Sequence, residues 1–201
     1  LRLVRSSSAP LAEVTTRKLE SIFGAPVAES YGMTEAALQI TSQPLPPHTR
    51  KFGSAGKPAG PQLAVIAPQT GKPAEAGGTG EIIIKGENVI QGYEDAPAEN
   101  QKSFLDGWLR TGIMGYLDQD GFLFIQGRAK EMINKGGENI SPREVDEALS
   151  AHPAVEQAVA FAYPHVTLGE DIGMAVVLKP GQAPEEGDLK DFMRKQIANF
   201  K

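Results

Sequence analysis

The stretch from residue 127 to residue 146 reads GRAKEMINKGGENISPREVD, and the character of the sequence changes across it. Short β-branched segments between glycine turns precede it. The run SPRE at residues 141–144 then gives a strong helix start, because a cap serine is followed by a first-turn proline and by the glutamate of a capping box. We therefore predict a boundary near residues 128–131, with one domain over residues 1–128 and a small α+β domain over residues 129–201.

Residues 45–127, upstream of this stretch, are rich in short strand-like segments. The strongest is EIIIK at residues 81–85, whose β-branched side chains favour an extended backbone. Further strands are predicted at residues 63–66, 108–111, 115–118 and 122–125. Several short strands at this spacing predict a small β-barrel or sandwich at the end of the first domain.

The two ends of the chain predict alternating helices and strands. Apolar residues at helical spacing predict a helix over residues 11–23 that ends at Gly24, between a strand at residues 1–4 and another at residues 25–28. After the boundary, the pattern predicts a helix from 141 to about 152, strands at 155–163 and 172–178, and a helix at 189–200. The predicted fold class is therefore α/β followed by α+β.

Composition excludes several functional classes. The 201 residues carry a net charge of -5 with scattered basic residues, which argues against a nucleic-acid-binding surface. No apolar run approaches the roughly 20 residues of a transmembrane helix. The sequence has no cysteine, which excludes disulfides and fits a reducing compartment. We expect a cytoplasmic protein, with a peroxisomal location as the alternative.

The two termini predict a chain that is part of a longer protein. The sequence begins at Leu1 without an initiator methionine or a signal-peptide pattern. It ends at Lys201 within a helical pattern that has no stop signal.

The segment YGMTE at residues 31–35 has the residue types of a nucleotide site. Gly32 allows a close backbone approach to a ligand, the Thr34 hydroxyl can bond a phosphate oxygen, and the Glu35 carboxylate suits Mg²⁺. Tyr31 offers a ring on which a base can stack. The alternative interpretation is an ordinary turn with a surface glutamate and a core tyrosine.

The glycine pair within the opening stretch suggests a second site. Gly136 and Gly137 follow a strand and precede a capped helix, so their backbone N–H groups could face an anion or a narrow ligand. Arg128 could fork onto phosphate or ribose oxygens. The alternative is a solvated basic linker. The three histidines have no spacing typical of a metal site or a catalytic triad, and the segment at residues 80–93 is interpreted as scaffold.

Taken in order, these segments resemble the adenylate-forming superfamily of acyl-CoA synthetases, luciferases and peptide-synthetase adenylation domains. The resemblance covers essentially the whole chain. Its motifs are SSAPL at 7–11, YGMTE at 31–35, GEIIIKGENVIQGY at 80–93, WLRTG at 108–112, DGFLFIQGR at 120–128 and KEMINKGGENISPREVD at 130–146. The phrases TSQPLPP at 41–47 and RKFGSAGKP at 50–58 are most similar to oxalate–CoA ligases and 4-coumarate–CoA ligase-like members.

The resemblance implies a fold and a set of ligands. Residues 1–128 would be the end of a large AMP-binding adenylation domain with its β-barrel subdomain, and residues 129–201 a mobile C-terminal domain. The parent enzyme would activate a small-molecule carboxylic acid with ATP and Mg²⁺ and transfer the acyl group from acyl-AMP to coenzyme A.

The resemblance also implies roles for single residues. Ser8, Ala9 and Pro10 would form the loop on the adenine side of AMP, and Tyr31, Gly32 and Met33 would belong to the nucleotide motif. Thr34 would contact the α-phosphate, and Glu35 would bind the metal. Arg128 would contact the ribose or a phosphate of AMP. Lys130 would be the hinge of the small domain, and Gly136 and Gly137 would line the pantetheine channel.

Some positions depart from the family pattern. Ile113 stands where the family has an aspartate that accepts hydrogen bonds from the ribose, and Leu38 stands where oxalate-type relatives have a histidine. The first departure predicts weakened ATP binding, and the second favours a less polar acid. A phosphate loop and a C-terminal lysine of the family lie outside this chain, so we expect no adenylation by the 201 residues alone. Two alternatives stay open: a non-catalytic relative that binds AMP or CoA, and an adenylase that loads a carrier protein.

Overall fold

The structure of the chain is a computed structural model that describes residues 1–9 and 11–198. It divides into two units, residues 1–125 and residues 126–201, which are described separately below. Both contain helices and sheets, so the predicted mixed α/β and α+β class is confirmed. The family's functional boundary at residues 128 and 129 stays a prediction.

A small mixed sheet begins the first unit. Strand β1 (Val4–Ser6) pairs in parallel with β2 (Val27–Tyr31), and helix α1 (Glu13–Phe23) makes the crossover that parallel strands require. Gly24, at φ 58°, ends α1 by donating its N–H to the Glu20 carbonyl, as predicted. Antiparallel strands β3 (Thr41–Ser42) and β4 (Lys57–Pro58) complete the sheet.

The predicted barrel is present as a half-barrel, an open antiparallel sheet of five strands. Its strands are β5 (Gln62–Ile66), β6 (Gly80–Lys85), β7 (Phe104–Leu105), β8 (Trp108–Leu117) and β9 (Leu123–Arg128). Their order is β5-β6-β8-β7, with β9 also paired to β8. No pairing between β5 and β9 closes the sheet in the described part of the chain.

The prediction of two strands at 108–111 and 115–118 is wrong, because β8 is continuous. The β6–β8 register passes from Glu81 opposite Met114 to Ile83 opposite Arg110, so β8 carries extra residues in a bulge. Gly112, at φ 69°, lies within it. A bulge accommodates a glycine without ending the hydrogen-bonded pairing of the two strands. The glycine therefore looks like the end of a strand in the sequence, although the strand continues.

One apolar core joins the half-barrel to the turn after β2. Its buried members are Ala36, Ile40, Ile82, Ile84, Leu109 and Leu123. The turn of residues 34–36 is thereby anchored on the sheet. Helix α2 (Pro97–Ser103) follows the half-barrel's second strand and was not predicted.

The second unit pairs two hairpins in one sheet. Strands β10 (Ile133–Lys135) and β11 (Glu138–Ile140) form a short hairpin where the alternative interpretation placed a solvated linker, and β12 (Val155–His165) and β13 (Gly169–Leu178) form a long one. The sheet order is β11-β10-β13-β12.

Two helices accompany this sheet. Helix α3 (Pro142–Ser150) begins as predicted, because the Ser141 hydroxyl accepts from the Glu144 N–H. Helix α4 (Glu186–Gln196) starts three residues before the predicted 189–200. The predicted end of α4 at Phe200 lies outside the described residues. Within the described ranges, no helix is long and apolar enough to cross a membrane.

Candidate functional site

The YGMTE segment leaves the sheet at an edge where ligands commonly bind. Because β1 and β2 are parallel, the loop of Ser7–Ala9 and the turn of Gly32–Glu35 both start from the carboxyl ends of neighbouring strands. Ser8 and Ala9 are exposed in the first of these loops, and Ser8 has a φ of 75°. Pro10, the third residue of the predicted adenine-side loop, lies outside the described residues.

The turn after β2 is tight because the chain folds back on itself. Thr34–Ala36 form a single 3-10 turn, preceded by Met33 in extended conformation. A Cβ on Gly32 would lie 2.1 Å from the Leu38 carbonyl oxygen. Gly32 is therefore required by the protein's own backbone, whereas the sequence suggested approach to a ligand.

Glu35 is the anchored acidic group of this turn. It is half-buried, and its Oε1 accepts a hydrogen bond of 3.1 Å from the Tyr93 hydroxyl. Its carbonyl accepts from the Ile90 N–H at 2.8 Å. Its other carboxylate oxygen accepts no hydrogen bond in the described part of the chain. Thr34, beside it, is exposed.

This geometry fits Mg²⁺ better than a metal that needs a protein cage. The described residues contain no group of three or more His, Cys, Asp or Glu side chains that could hold a metal. Magnesium is commonly bound by one or two carboxylates, several waters and substrate phosphates. Glu35, with one oxygen held and the other unengaged, is a suitable single ligand.

Tyr31 packs its ring against the apolar core, and its hydroxyl is buried without a well-formed hydrogen bond among the described residues. Burial raises the pKa of Tyr31 to about 12; the nearby Thr111 hydroxyl partly offsets this rise and the charge of Glu35 adds to it. The tyrosine is consequently neutral at physiological pH.

Ile113 lies in the β8 bulge, half-buried against the same core. Its position is fixed from both sides. The Thr111 hydroxyl donates to the Ile82 carbonyl at 2.8 Å and accepts from the Ile113 N–H at 3.2 Å. The buried Glu81 accepts from the Gly112 N–H at 3.1 Å. An aliphatic side chain here offers no acceptor to a ribose.

In the second unit, the predicted cationic residues are exposed. Arg128 contacts Glu131 at 3.5 Å, and Lys130 lies in the short 3-10 turn of Ala129–Glu131. Both side chains are available to a ligand.

The Gly136–Gly137 turn is already hydrogen-bonded within the protein. The Gly136 N–H donates to the Leu168 carbonyl at 2.9 Å, and the Gly137 N–H donates to Asn134 Oδ1 at 3.0 Å. The expectation that these N–H groups face an anion is therefore wrong. The turn can still border a narrow ligand, because φ values of 62° and 95° exclude bulkier residues and leave it without side chains.

Sequence reasoning missed Tyr93 and Asn100. The segment that contains Tyr93 was interpreted as scaffold, yet its hydroxyl holds the Glu35 carboxylate. Burial, then the hydrogen bond and charge of Glu35, raise the pKa of Tyr93 and keep its hydroxyl a donor. A tyrosine that follows a glycine in a loop is too weak a signal to have predicted this contact.

Comparison with known proteins identifies the family of the chain. The model of the AMP-binding enzyme family matches residues 1–94, and that of the AMP-binding enzyme C-terminal domain matches residues 144–201. The chain belongs to the family of AMP-binding enzymes. It is 48% identical to an oxalate–CoA ligase of Arabidopsis thaliana, over all of this chain and 39% of that protein.

Solved structures give the same assignment. ATP-bound MatB from Rhodopseudomonas palustris is 35% identical with a TM-score of 0.91, over 99% of this chain and 40% of that one. An o-succinylbenzoate–CoA synthetase from Bacillus subtilis in complex with ATP and magnesium is 34% identical with a TM-score of 0.85, over 100% and 41%. The chain thus spans about two fifths of the length of these relatives.

Proposed function

We propose that the chain belongs to an acid–thiol ligase that activates a carboxylic acid with ATP and transfers the acyl group to coenzyme A. The observation that carries the proposal is the anchored Glu35 carboxylate beside the exposed Thr34, at the carboxyl edge of parallel strands. The similarity to CoA ligases and to ATP-bound structures supports it.

In this proposal the first unit holds the nucleotide. Tyr31 flanks the adenine together with the loop of Ser8 and Ala9, and the Thr34 hydroxyl donates to an α-phosphate oxygen. Glu35 would hold Mg²⁺. The bound ion would neutralise charge that develops on the phosphates.

The second unit would complete the reaction cycle. Arg128 contacts the ribose or phosphate of AMP, and Lys130 is the hinge of a mobile domain over residues 129–201. After rotation about this hinge, Gly136 and Gly137 would line the pantetheine channel. A hinge change of this kind exchanges one set of active-site groups for another between two half-reactions.

The chemistry follows from the weakness of a carboxylate as an electrophile. In the first half-reaction a carboxylate oxygen attacks the α-phosphorus of ATP, and pyrophosphate leaves. In the second the CoA thiol, as it loses its proton, attacks the acyl carbonyl and AMP leaves. The Thr34 hydroxyl would act where phosphate charge develops, and electrostatic stabilisation of this kind is usually the largest single contribution of an active site.

Two other functions stay open, and one of them has a supporting observation. The aliphatic Ile113 favours a non-catalytic relative that binds nucleotide weakly. An adenylase that loads a carrier protein also stays open as an alternative, because it shares the first half-reaction.

Leu38 is exposed beside the turn, and an aliphatic residue there favours a less polar acid than oxalate. We place the enzyme in the cytoplasm, with the peroxisome as the alternative.

The test uses the full-length parent protein. Acid-dependent exchange of pyrophosphate into ATP, measured over a panel of carboxylic acids, should reveal the first half-reaction, and Glu35→Gln should abolish most of it. Thioester formation with free CoA, compared with a carrier protein, separates the ligase from the carrier-loading enzyme. A parent that binds ATP but shows no exchange with any acid would support the non-catalytic relative instead. The 201 residues alone should show no exchange.

A further inference from the structure

The segment of residues 86–93, which we call the strap, is bonded to the turn that carries Glu35. The Asn88 side chain donates to the Ala36 carbonyl at 3.0 Å and to the Gln39 carbonyl at 3.1 Å. The Ile90 N–H donates to the Glu35 carbonyl, and the Tyr93 hydroxyl donates to Glu35 Oε1. The strap therefore fixes both the backbone of the turn and its carboxylate.

Tyr93 is itself held in place by helix α2. Asn100 Oδ1 accepts from the Tyr93 N–H at 2.7 Å, and Asn100 Nδ2 donates to the Tyr93 carbonyl at 2.8 Å. One side chain thus satisfies both backbone groups of Tyr93. Pro97 at the start of α2 and the bond from the Asn100 N–H to Ala96 place that side chain on a helix, which is more rigid than a loop.

We propose that Tyr93 is a positioning residue for the metal–nucleotide complex, and that Asn100 and α2 are its support. The Tyr93 hydroxyl occupies one oxygen of Glu35 and leaves the other unengaged, so that this second oxygen would be the one to bind the metal. This role rests on the proposed function, because it assigns Mg²⁺ to Glu35. It goes beyond that function because it assigns the strap and α2 a role in orienting the Glu35 carboxylate, in addition to their structural role.

The expected loss of Mg²⁺ affinity can be judged from other proteins in which a residue hydrogen-bonds to a metal ligand. Removing a group that orients a metal ligand typically weakens metal affinity by about 10–100-fold. Tyr93 donates one hydrogen bond and the carboxylate itself remains, so we expect the lower end of that range, about tenfold.

The experiment compares Tyr93→Phe with wild type in the full-length parent. Tyr116→Phe is the matched control, because Tyr116 stacks on Phe124 at 5.1 Å elsewhere in the same unit. Calorimetry measures ATP binding with Mg²⁺ and with EDTA, and pyrophosphate exchange is titrated with Mg²⁺. For Tyr93→Phe we expect about tenfold more Mg²⁺ at half-saturation, about tenfold weaker Mg²⁺·ATP binding and unchanged binding in EDTA. Tyr116→Phe should match wild type.

A second variant separates positioning from folding. On a Glu35→Gln background, Tyr93→Phe should change Mg²⁺·ATP binding by less than about twofold, because the carboxylate it orients is gone. If Tyr93→Phe lowers the melting temperature, Asn100→Asp serves as the second variant. It keeps the hydrogen bond from the Tyr93 N–H and loses the hydrogen bond to the Tyr93 carbonyl. We expect it to raise the Mg²⁺ requirement less than Tyr93→Phe does.

The outcomes distinguish this role from the proposed function. An active parent whose Tyr93→Phe variant has a wild-type Mg²⁺ requirement, or binds ATP equally weakly with and without Mg²⁺, would overturn the positioning role alone. A wild-type parent that neither exchanges pyrophosphate nor binds Mg²⁺·ATP would overturn the proposed function, and the positioning role with it.

Discussion

Restoring an acid at the β8 bulge is the most informative single change. Ile113→Asp in the full-length parent places a carboxylate where the family pattern has one. The bulge holds this residue in place through the Thr111 hydroxyl and the buried Glu81, so a new side chain should project from a fixed backbone.

The substitution is expected to change two quantities, the stability of the protein and its affinity for ATP. Ile113 is half-buried on the core, so losing its apolar contact should cost about 1 kcal/mol of stability, which is part of the roughly 1.5–3 kcal/mol for a fully buried aliphatic side chain. A ribose hydroxyl pair that gains its acceptor should recover about 1–3 kcal/mol of binding. At about 1.4 kcal/mol per factor of ten, ATP affinity should rise by roughly 5–150-fold.

The assay is calorimetric titration with Mg²⁺·ATP, accompanied by a melting curve. Ile113→Val is the control, because it trims the same contact without adding an acceptor. Tighter binding in the aspartate variant and unchanged binding in the valine variant is the expected result. Equal ATP affinity in a folded aspartate variant would refute the reasoning, since it would mean that the ribose lies elsewhere or is already satisfied.

Three further changes test the fold around the site, each by urea denaturation. Glu81→Ala should destabilise the protein by about 1–3 kcal/mol, because it leaves the Gly112 N–H and the half-buried Arg110 guanidinium without their acceptor, and a loss under about 0.5 kcal/mol would contradict this role of Glu81. Tyr31→Phe should raise stability by about 1 kcal/mol at pH 7, because the buried hydroxyl has no well-formed bond. Since the folded pKa of about 12 exceeds the unfolded value near 10, wild type should lose about 2 kcal/mol more than this variant as pH rises from 10 to 12, and parallel pH curves would contradict the shift. Gly32→Ala should cost at least about 2 kcal/mol, because its Cβ would overlap the Leu38 carbonyl, whereas Gly187→Ala in α4 has open space and should be neutral or stabilising.

The Glu35 region shows how far local patterns reach. The residue types of YGMTE indicated a nucleotide site, and the parallel pairing of β1 with β2 places it at a sheet edge where such sites occur. The partner of its carboxylate, however, is 58 positions away in the sequence. Hydrogen bonds over such separations depend on how strands pair, and no local pattern encodes them.

Some properties of this protein were determined by the sequence alone. Helix α1 with its stop at Gly24, the serine cap of α3 and the buried strand β6 depend on spacing and capping within a few residues, so the local chemistry decides them. The order of the motifs likewise predicted the family.

Other properties were decided only by tertiary structure. The continuous β8, the hydrogen bond from the Gly136 N–H to the Leu168 carbonyl, and the hydrogen bond from Tyr93 to Glu35 each depend on a partner that folding brings close. A glycine followed by polar residues looks the same in sequence whether its N–H faces a ligand or a neighbouring strand. The physical difference lies in which acceptor the folded chain places within about 3 Å of it.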